Sequence, residues 1–199
     1  MTDAPSTPIF DRREVVARLL HDRRDLIAVS SLGSATYDVA AAGDHDRNFY
    51  FWGAMGGAIP LTLGLALAQP DIPIAVFVGD GEALMGMGSF ATVALQRPAN
   101  MSIVILDNGS YGETGGQLSH TASSVDLASV ARACGIPNSL VVANGAEIES
   151  LAETINAVGH GPTVAVVKID PAQKPRCLPS RDGVLLKTRL RAALGFGPM

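Results

Sequence analysis

Charge is scarce in this chain. Lys, Arg, Asp and Glu supply 17% of its 199 residues, and the formal net charge is only −4. No Lys/Arg cluster occurs, so the basic footprint of a nucleic-acid-binding protein is missing and no nucleic-acid partner is expected. Apolar runs of membrane-spanning length are missing as well, because Gly or Pro breaks each one, and Met1-Thr2-Asp3-Ala4-Pro5 does not resemble a signal peptide. Cysteine is nearly absent: Cys134 and Cys177 stand far apart, each without a Cys or His at ligand spacing. That argues against an iron–sulfur centre and an electron-transferring role, and predicts two reduced structural thiols in a cytoplasmic protein.

What the chain does have is apolar residues, 47% of the total, and 21 glycines, enough for the core of one globular domain. Its organisation centres on residues 78–111. An apolar run, residues 74–78, ends at Gly79-Asp80-Gly81, and a second, residues 101–106, ends at Asp107-Asn108-Gly109. Two such runs separated by a helix-length segment predict a βαβ unit, whose right-handed crossover brings both carboxyl ends to one edge of a parallel sheet. Asp80 and Asn108 are expected to meet there. A carboxylate, an amide oxygen and loop carbonyls are hard donors suited to a small divalent cation such as Mg²⁺, which keeps part of its shell for phosphate oxygens. The glycines beside Asp80 permit close backbone approach, and residues 82–85, beginning the next helix, offer free N–H groups to an anion. This edge is expected to bind a metal diphosphate.

A Gly-Asp-Gly followed roughly 25 residues later by an Asn that closes the next strand resembles the signature of thiamine diphosphate enzymes. The resemblance implies an α/β fold: a single three-layer domain with a mostly parallel sheet flanked by helices, the diphosphate-type domain of the thiamine diphosphate-binding fold, over residues 11–199 after a mobile N-terminus at residues 1–10. It implies that Asp80 and Asn108 ligate the metal through their side chains and Ser110 through its backbone carbonyl. Gly79, Gly81, Glu82, Ala83, Tyr111 and Gly112 then border the cofactor. Gly53-Ala54-Met55-Gly56 resembles the family's Gly-x-bulky-Gly element, in which the bulky residue, here Met55, sits under the cofactor and bends it into a V. The Gly53 carbonyl matches the acceptor of the cofactor's 4′-amino group. Glu82 departs from the Ser or Ala of many relatives, and its carboxylate would repel the diphosphate unless turned away.

The remaining chain reads as alternating elements. Asp11 opens an amphipathic helix over residues 12–21, with Val15, Val16, Leu19 and Leu20 on one face. A strand over residues 26–30 leads to a short helix through Ala41, with Ser34 as its expected cap. Residues 48–52 should be extended and residues 55–68 a helix buried all round. His45, in an acidic stretch, is read as part of a solvated turn. Residues 109–124 are expected to form a long loop without structure of its own, a feature usually tied to function. Beyond it lie a helix over 126–134, a strand over 140–143, a helix over 146–158, a strand over 163–169, and a helix over 182–194 with Lys187, Arg189 and Arg191 on its polar side.

In this superfamily the Glu that activates the cofactor belongs to a separate pyrimidine-binding domain. Only about 50 residues precede Gly53, too few for a second domain of roughly 150 residues. The expected partner is therefore an α subunit carrying that domain and that Glu, in an α2β2 or higher hetero-oligomer. Tyr111-Gly112, Thr114-Gly115, Gln117 and His120-Thr121, with a terminal Val184-Leu185-Leu186-Lys187-Thr188-Arg189, resemble the β subunit of sulfopyruvate decarboxylase and the C-terminal half of phosphonopyruvate decarboxylase. The resemblance implies decarboxylation of an acidic, small-molecule 2-oxoacid to an aldehyde and CO₂, with Gln117 and His120 as substrate-side candidates for hydrogen bonding and proton transfer. Lys168, Lys174, Arg176 and Arg181 are either readers of a second anion or surface charge. Two alternatives share the same motif residues, an acetohydroxyacid synthase-like carboligase half and a non-catalytic cofactor-binding subunit. A dinucleotide-binding domain fits poorly, since residues 53–57 make a weak G-x-G-x-x-G and no acidic strand end follows at the required distance.

Overall fold

The computed structural model describes residues 9–53 and 55–197. Six parallel strands form its sheet: β1 (Ile27–Ser30), β2 (Asn48–Tyr50), β3 (Ile74–Gly79), β4 (Met101–Asp107), β7 (Asn138–Val141) and β8 (Thr163–Lys168). Their order is β2-β1-β3-β4-β8-β7. Chain order reverses between β1 and β3, which makes the carboxyl ends of these strands the crevice where open α/β sheets bind ligands.

The three-layer arrangement follows from the period of two. β3 and β4 are rich in Ile and Val and buried almost throughout, as strands covered on both faces must be. Ile74, Val76, Val78, Ile103 and Ile105 pack on one side, against α3 (Ala58–Ala68), α5 (Ser89–Gln96) and α6 (Leu127–Ala133). Ala75, Phe77, Val104 and Leu106 pack on the other, against α1 (Arg12–Leu20), α2 (Gly33–Ala41) and α7 (Gly145–Ile155). The last helix, α8 (Gly183–Ala193), gives Leu190 to one side and Leu186 to the other. Asp11, Asp126 and Asp182 cap α1, α6 and α8 by accepting backbone N–H groups, and Asn144 caps α7. Such caps each contribute about 1 kcal/mol.

Several sequence expectations are corrected. Ser34 is not a cap: α2 begins at Gly33 with Leu32 at the capping position, so Ser34 lies inside the first turn. The helix expected from residue 55 begins only at Ala58, because Gly56 has a left-handed φ of 88° that no right-handed helix accepts. Nor is α3 buried all round, since Leu67 is 49% exposed. The segment after Gly79 is two helices, α4 (Asp80–Met85) and α5, broken at residues 86–88. Gly86 packs directly on the backbone of Gly56, where an added Cβ would meet the Gly56 carbonyl oxygen at 2.5 Å.

Residues 109–124 are not structureless. Gly115 and Gly116 take positive φ angles and turn the chain so that β5 (Ser110–Tyr111) pairs antiparallel with β6 (Gln117–Leu118), followed by a 3₁₀ turn at His120–Ala122. The strand expected over 140–143 starts two residues earlier, in register with Thr163. Arg189 stays on the polar side of α8 and pairs there with Asp44 at 2.7 Å. Phe10, within the expected mobile terminus, is held by backbone hydrogen bonds to Lys168 and Asp170. Residues 1–8 of that terminus, and Pro198 and Met199, lie outside the described residues.

Candidate functional site

Three strand ends build one cleft. Leu32, Gly33, Ser34 and Ala35 enter it after β1, Gly79, Asp80, Gly81 and Glu82 after β3, and Leu106 and Asn108 at the end of β4. Ser110, Tyr111, Gly112, Glu113 and Thr114 of the hairpin close one side, and Met55 and Ile169 complete the wall. Asp80 and Asn108 thus line the same cleft, as parallel strands with right-handed crossovers require. Gly81 lets the Tyr111 ring lie directly on the backbone, since an added Cβ would stand 2.4 Å from its Cε1.

Asp80 is 1% exposed. Its Oδ2 accepts hydrogen bonds from the Ser119 hydroxyl and from the Thr121 hydroxyl, the latter at 3.0 Å. Burial raises its pKa; the Ser119 hydroxyl opposes this, the nearby Asp107 carboxylate adds to it, and the Thr121 hydroxyl opposes it again, leaving the group above its ordinary value. A cation beside Asp80 would relieve that strain. The Asn108 Oδ1 accepts the Ser110 N–H at 3.0 Å, which fixes the amide and leaves its oxygen one further lone pair.

Glu82 borders the cleft, but its carboxylate does not serve it. Its Oε1 accepts the Ala58 N–H at 3.3 Å, at the first turn of α3, which has no side-chain cap of its own. Burial raises its pKa, against the Ser31 hydroxyl beside it and the Ala58 and Gly56 backbone groups. The carboxylate is thus engaged by the start of α3.

The other expected site residues are dispersed. Gly53 forms a tight turn with its N–H on the Phe51 carbonyl at 2.7 Å, outside the cleft wall. Ala83, on α4, is fully buried in the core. Gln117 and His120 are exposed on the hairpin side and do not line the cleft; Gln117 donates to the Thr114 carbonyl of its own turn at 3.1 Å. Ala54 lies outside the described residues. Conversely, residues 32–35 were missed, although β1 ends on the same edge as β3 and β4 and the same strand-end argument would have found them. Ser119 and Thr121 were missed as partners of Asp80, and no local signal announces a contact across some 40 residues.

Comparison with known proteins then decides the family. The family described as thiamine pyrophosphate enzyme, C-terminal TPP binding domain, matches residues 32–169. The chain belongs to this family. Within it, a phosphonopyruvate decarboxylase of Streptomyces hygroscopicus is 44% identical over 132 residues, covering 66% of this chain and 32% of that protein. A sulfopyruvate decarboxylase subunit beta of Methanocaldococcus jannaschii is 41% identical over 110 residues, 55% of this chain and 58% of that subunit. The chain therefore spans about a third of the first relative and somewhat over half of the second. A solved structure of a thiamin diphosphate-dependent enzyme from Mycobacterium smegmatis superposes with a TM-score of 0.69 at 25% identity, over 85% of this chain and 34% of that one.

The cleft suits a thiamine pyrophosphate enzyme in its donor chemistry. Among the described residues no cluster of three or more His, Cys, Asp or Glu could hold a metal. A cation here would rest on one carboxylate with amide and backbone oxygens, a set that selects a hard ion such as Mg²⁺ over zinc. The uncapped N-terminus of α2 also opens into the cleft and offers N–H groups to an anion.

Proposed function

We propose that this chain is the β subunit of a two-subunit, thiamine diphosphate-dependent 2-oxoacid decarboxylase acting on sulfopyruvate, phosphonopyruvate or a similarly acidic 2-oxoacid. The observation that carries this reading is the convergence of Asp80 and Asn108 in a cleft that also receives Met55 and the first turn of α2. When bound, thiamine diphosphate supplies a carbon nucleophile and an electron sink for loss of CO₂. Asp80, Asn108 and the Ser110 carbonyl would hold Mg²⁺, and the N–H groups of Gly33 and Ser34 would bind the diphosphate. Met55 would support the cofactor, and Tyr111, lying on Gly81, would help exclude water from the cleft. Gln117 and His120, exposed on the hairpin, hydrogen-bond the substrate and move its proton once a second subunit covers them.

That second subunit brings the pyrimidine-binding domain and the activating Glu, in an α2β2 or higher assembly. Support comes from exposed apolar side chains on α3 to α5: Leu67, Met85, Met87 and Leu95 are 39–78% exposed, and residues 83–96 hold no charged side chain. An exposed apolar face of this kind marks a site of association. No helix among the described residues is long and apolar enough to cross a membrane; the reading includes a cytoplasmic location, with which the unpaired Cys134 and Cys177 are compatible.

The test is CO₂ release from sulfopyruvate, phosphonopyruvate and pyruvate, with Mg²⁺ and thiamine diphosphate, by the chain co-expressed with its neighbouring reading frame and by the chain alone. Activity in the pair on one acidic 3-carbon acid, abolished by Asp80→Ala, is expected. Acyloin as the only product with an added aldehyde overturns the decarboxylase in favour of a carboligase, and full activity of the Asp80→Ala pair removes the cofactor site assigned here.

A further inference from the structure

Around Asp80 the hydrogen bonds are unevenly shared. Both hydroxyls that reach the carboxylate, Ser119 Oγ and Thr121 Oγ1, go to Oδ2, and the two hydroxyls also touch each other at 2.8 Å. Among the described residues no side chain donates to Oδ1. Ser119 is only 3% exposed, and its own N–H is fixed on the Gly109 carbonyl at 2.8 Å.

Thr121 is anchored a second time. Its Oγ1 lies 2.7 Å from Asp107 Oδ1, a buried carboxylate that also accepts the Gly109 N–H at 3.0 Å and the Lys168 ammonium at 2.5 Å. Each hydroxyl carries a single proton. The Thr121 hydroxyl shares its proton between two carboxylate oxygens, Asp107 Oδ1 at 2.7 Å and Asp80 Oδ2 at 3.0 Å, so Asp107 holds Thr121 in place against Asp80 Oδ2.

We propose that Ser119 and Thr121 are positioning residues that occupy Asp80 Oδ2 and thereby present Oδ1 alone to the divalent cation of the cofactor. The inference rests on the reading of the cleft as a metal-diphosphate site. Its chemical consequence is selectivity. Mg²⁺ demands a near-ideal octahedron and takes carboxylates one oxygen at a time, whereas Ca²⁺ accepts both oxygens of one carboxylate in a looser shell. A carboxylate held by one oxygen favours the smaller ion.

The experiment is calorimetric titration of the chain, paired with its co-expressed second subunit, with thiamine diphosphate at a series of Mg²⁺ or Ca²⁺ concentrations, for wild type, Ser119→Ala, Thr121→Val, the double variant and Thr121→Ser. Loss of partners around metal ligands costs about 10- to 100-fold in metal affinity. The half-saturating Mg²⁺ concentration should rise by about that factor in the double variant, the Ca²⁺ value should rise far less, and Thr121→Ser should restore Mg²⁺ dependence. Unchanged Mg²⁺ dependence, or equal losses for both ions, overturns the positioning role. A wild-type pair that binds no cofactor with either ion overturns the metal-diphosphate reading itself, a result distinct from both.

Discussion

The Glu82 carboxylate accepts the Ala58 N–H at 3.3 Å, so a residue of α4 closes the N-terminus of α3. Replacing it tests that contact. Glu82→Ala leaves a buried N–H without a partner and should cost about 1–3 kcal/mol. For a chain of this size that is a drop of about 2–4 °C in Tm for each kcal/mol, read by calorimetry. Glu82→Gln keeps an acceptor oxygen and sheds a buried charge, and it should cost less than half as much.

Two glycines predict opposite signs. Gly86→Ala drives a methyl group into the Gly56 backbone at 2.5 Å, where nothing flexible can yield. Overpacking of this kind costs about 1–3 kcal/mol, measured as a lower urea midpoint. Gly64, in the interior of α3, has no atom within 4 Å of an added Cβ. Gly64→Ala should therefore stabilise by about 0.5–1 kcal/mol through helix propensity alone.

Acid dependence should trace to the helix caps. Burial pushes the Asp126 carboxyl up, but the Ser129 hydroxyl, the Ser129 and Ala128 N–H groups and Arg132 outweigh it and hold the group below its ordinary 3.8. With its folded pKa below the unfolded value, its contribution is complete above about pH 4 and is lost as pH falls through the folded pKa. Asp126→Ala should be about 1 kcal/mol less stable at pH 7, the difference shrinking below pH 4 in urea titrations at stepped pH.

The exposed apolar side chains of α5 predict a separable effect on assembly. Leu95 is 78% exposed, so Leu95→Glu should change the unfolding free energy of the isolated chain by less than about 0.5 kcal/mol. Sedimentation velocity should nonetheless show smaller species than wild type, with or without the partner subunit. Identical sedimentation profiles would remove this face from the interface.

Much of the fold was readable because parallel βαβ units obey few rules. Residues 74–79 and 101–107 are nearly pure β-formers, and the capping aspartates at 11, 126 and 182 mark helix starts by side-chain chemistry that acts within three residues. The same rules placed Asp80 beside Asn108. What escaped was set by contacts distant in sequence. The late start of α3 and the break after α4 are one event, the meeting of Gly56 with Gly86, and neither glycine alone announces it. The hairpin at residues 110–118 depends on two consecutive positive-φ glycines inside a polar stretch that lacks the alternation of a strand. Ser119 and Thr121 look like ordinary loop residues until Asp80 is brought to them.

Asp107 and Asn108 are consecutive, yet they serve opposite sides of the sheet: Asp107 meets Lys168 and Thr121, and Asn108 lines the cleft. The pleat makes such a division automatic, and it also makes it fragile to insertion rather than to substitution. One residue added between Val104 and Leu106 would rotate everything after it by half a turn, sending the carboxylate into the cleft and the amide toward the lysine. An Ile-to-Val exchange along β4 costs only about 0.5–1.5 kcal/mol, but the length of that strand decides which residue reaches the cleft.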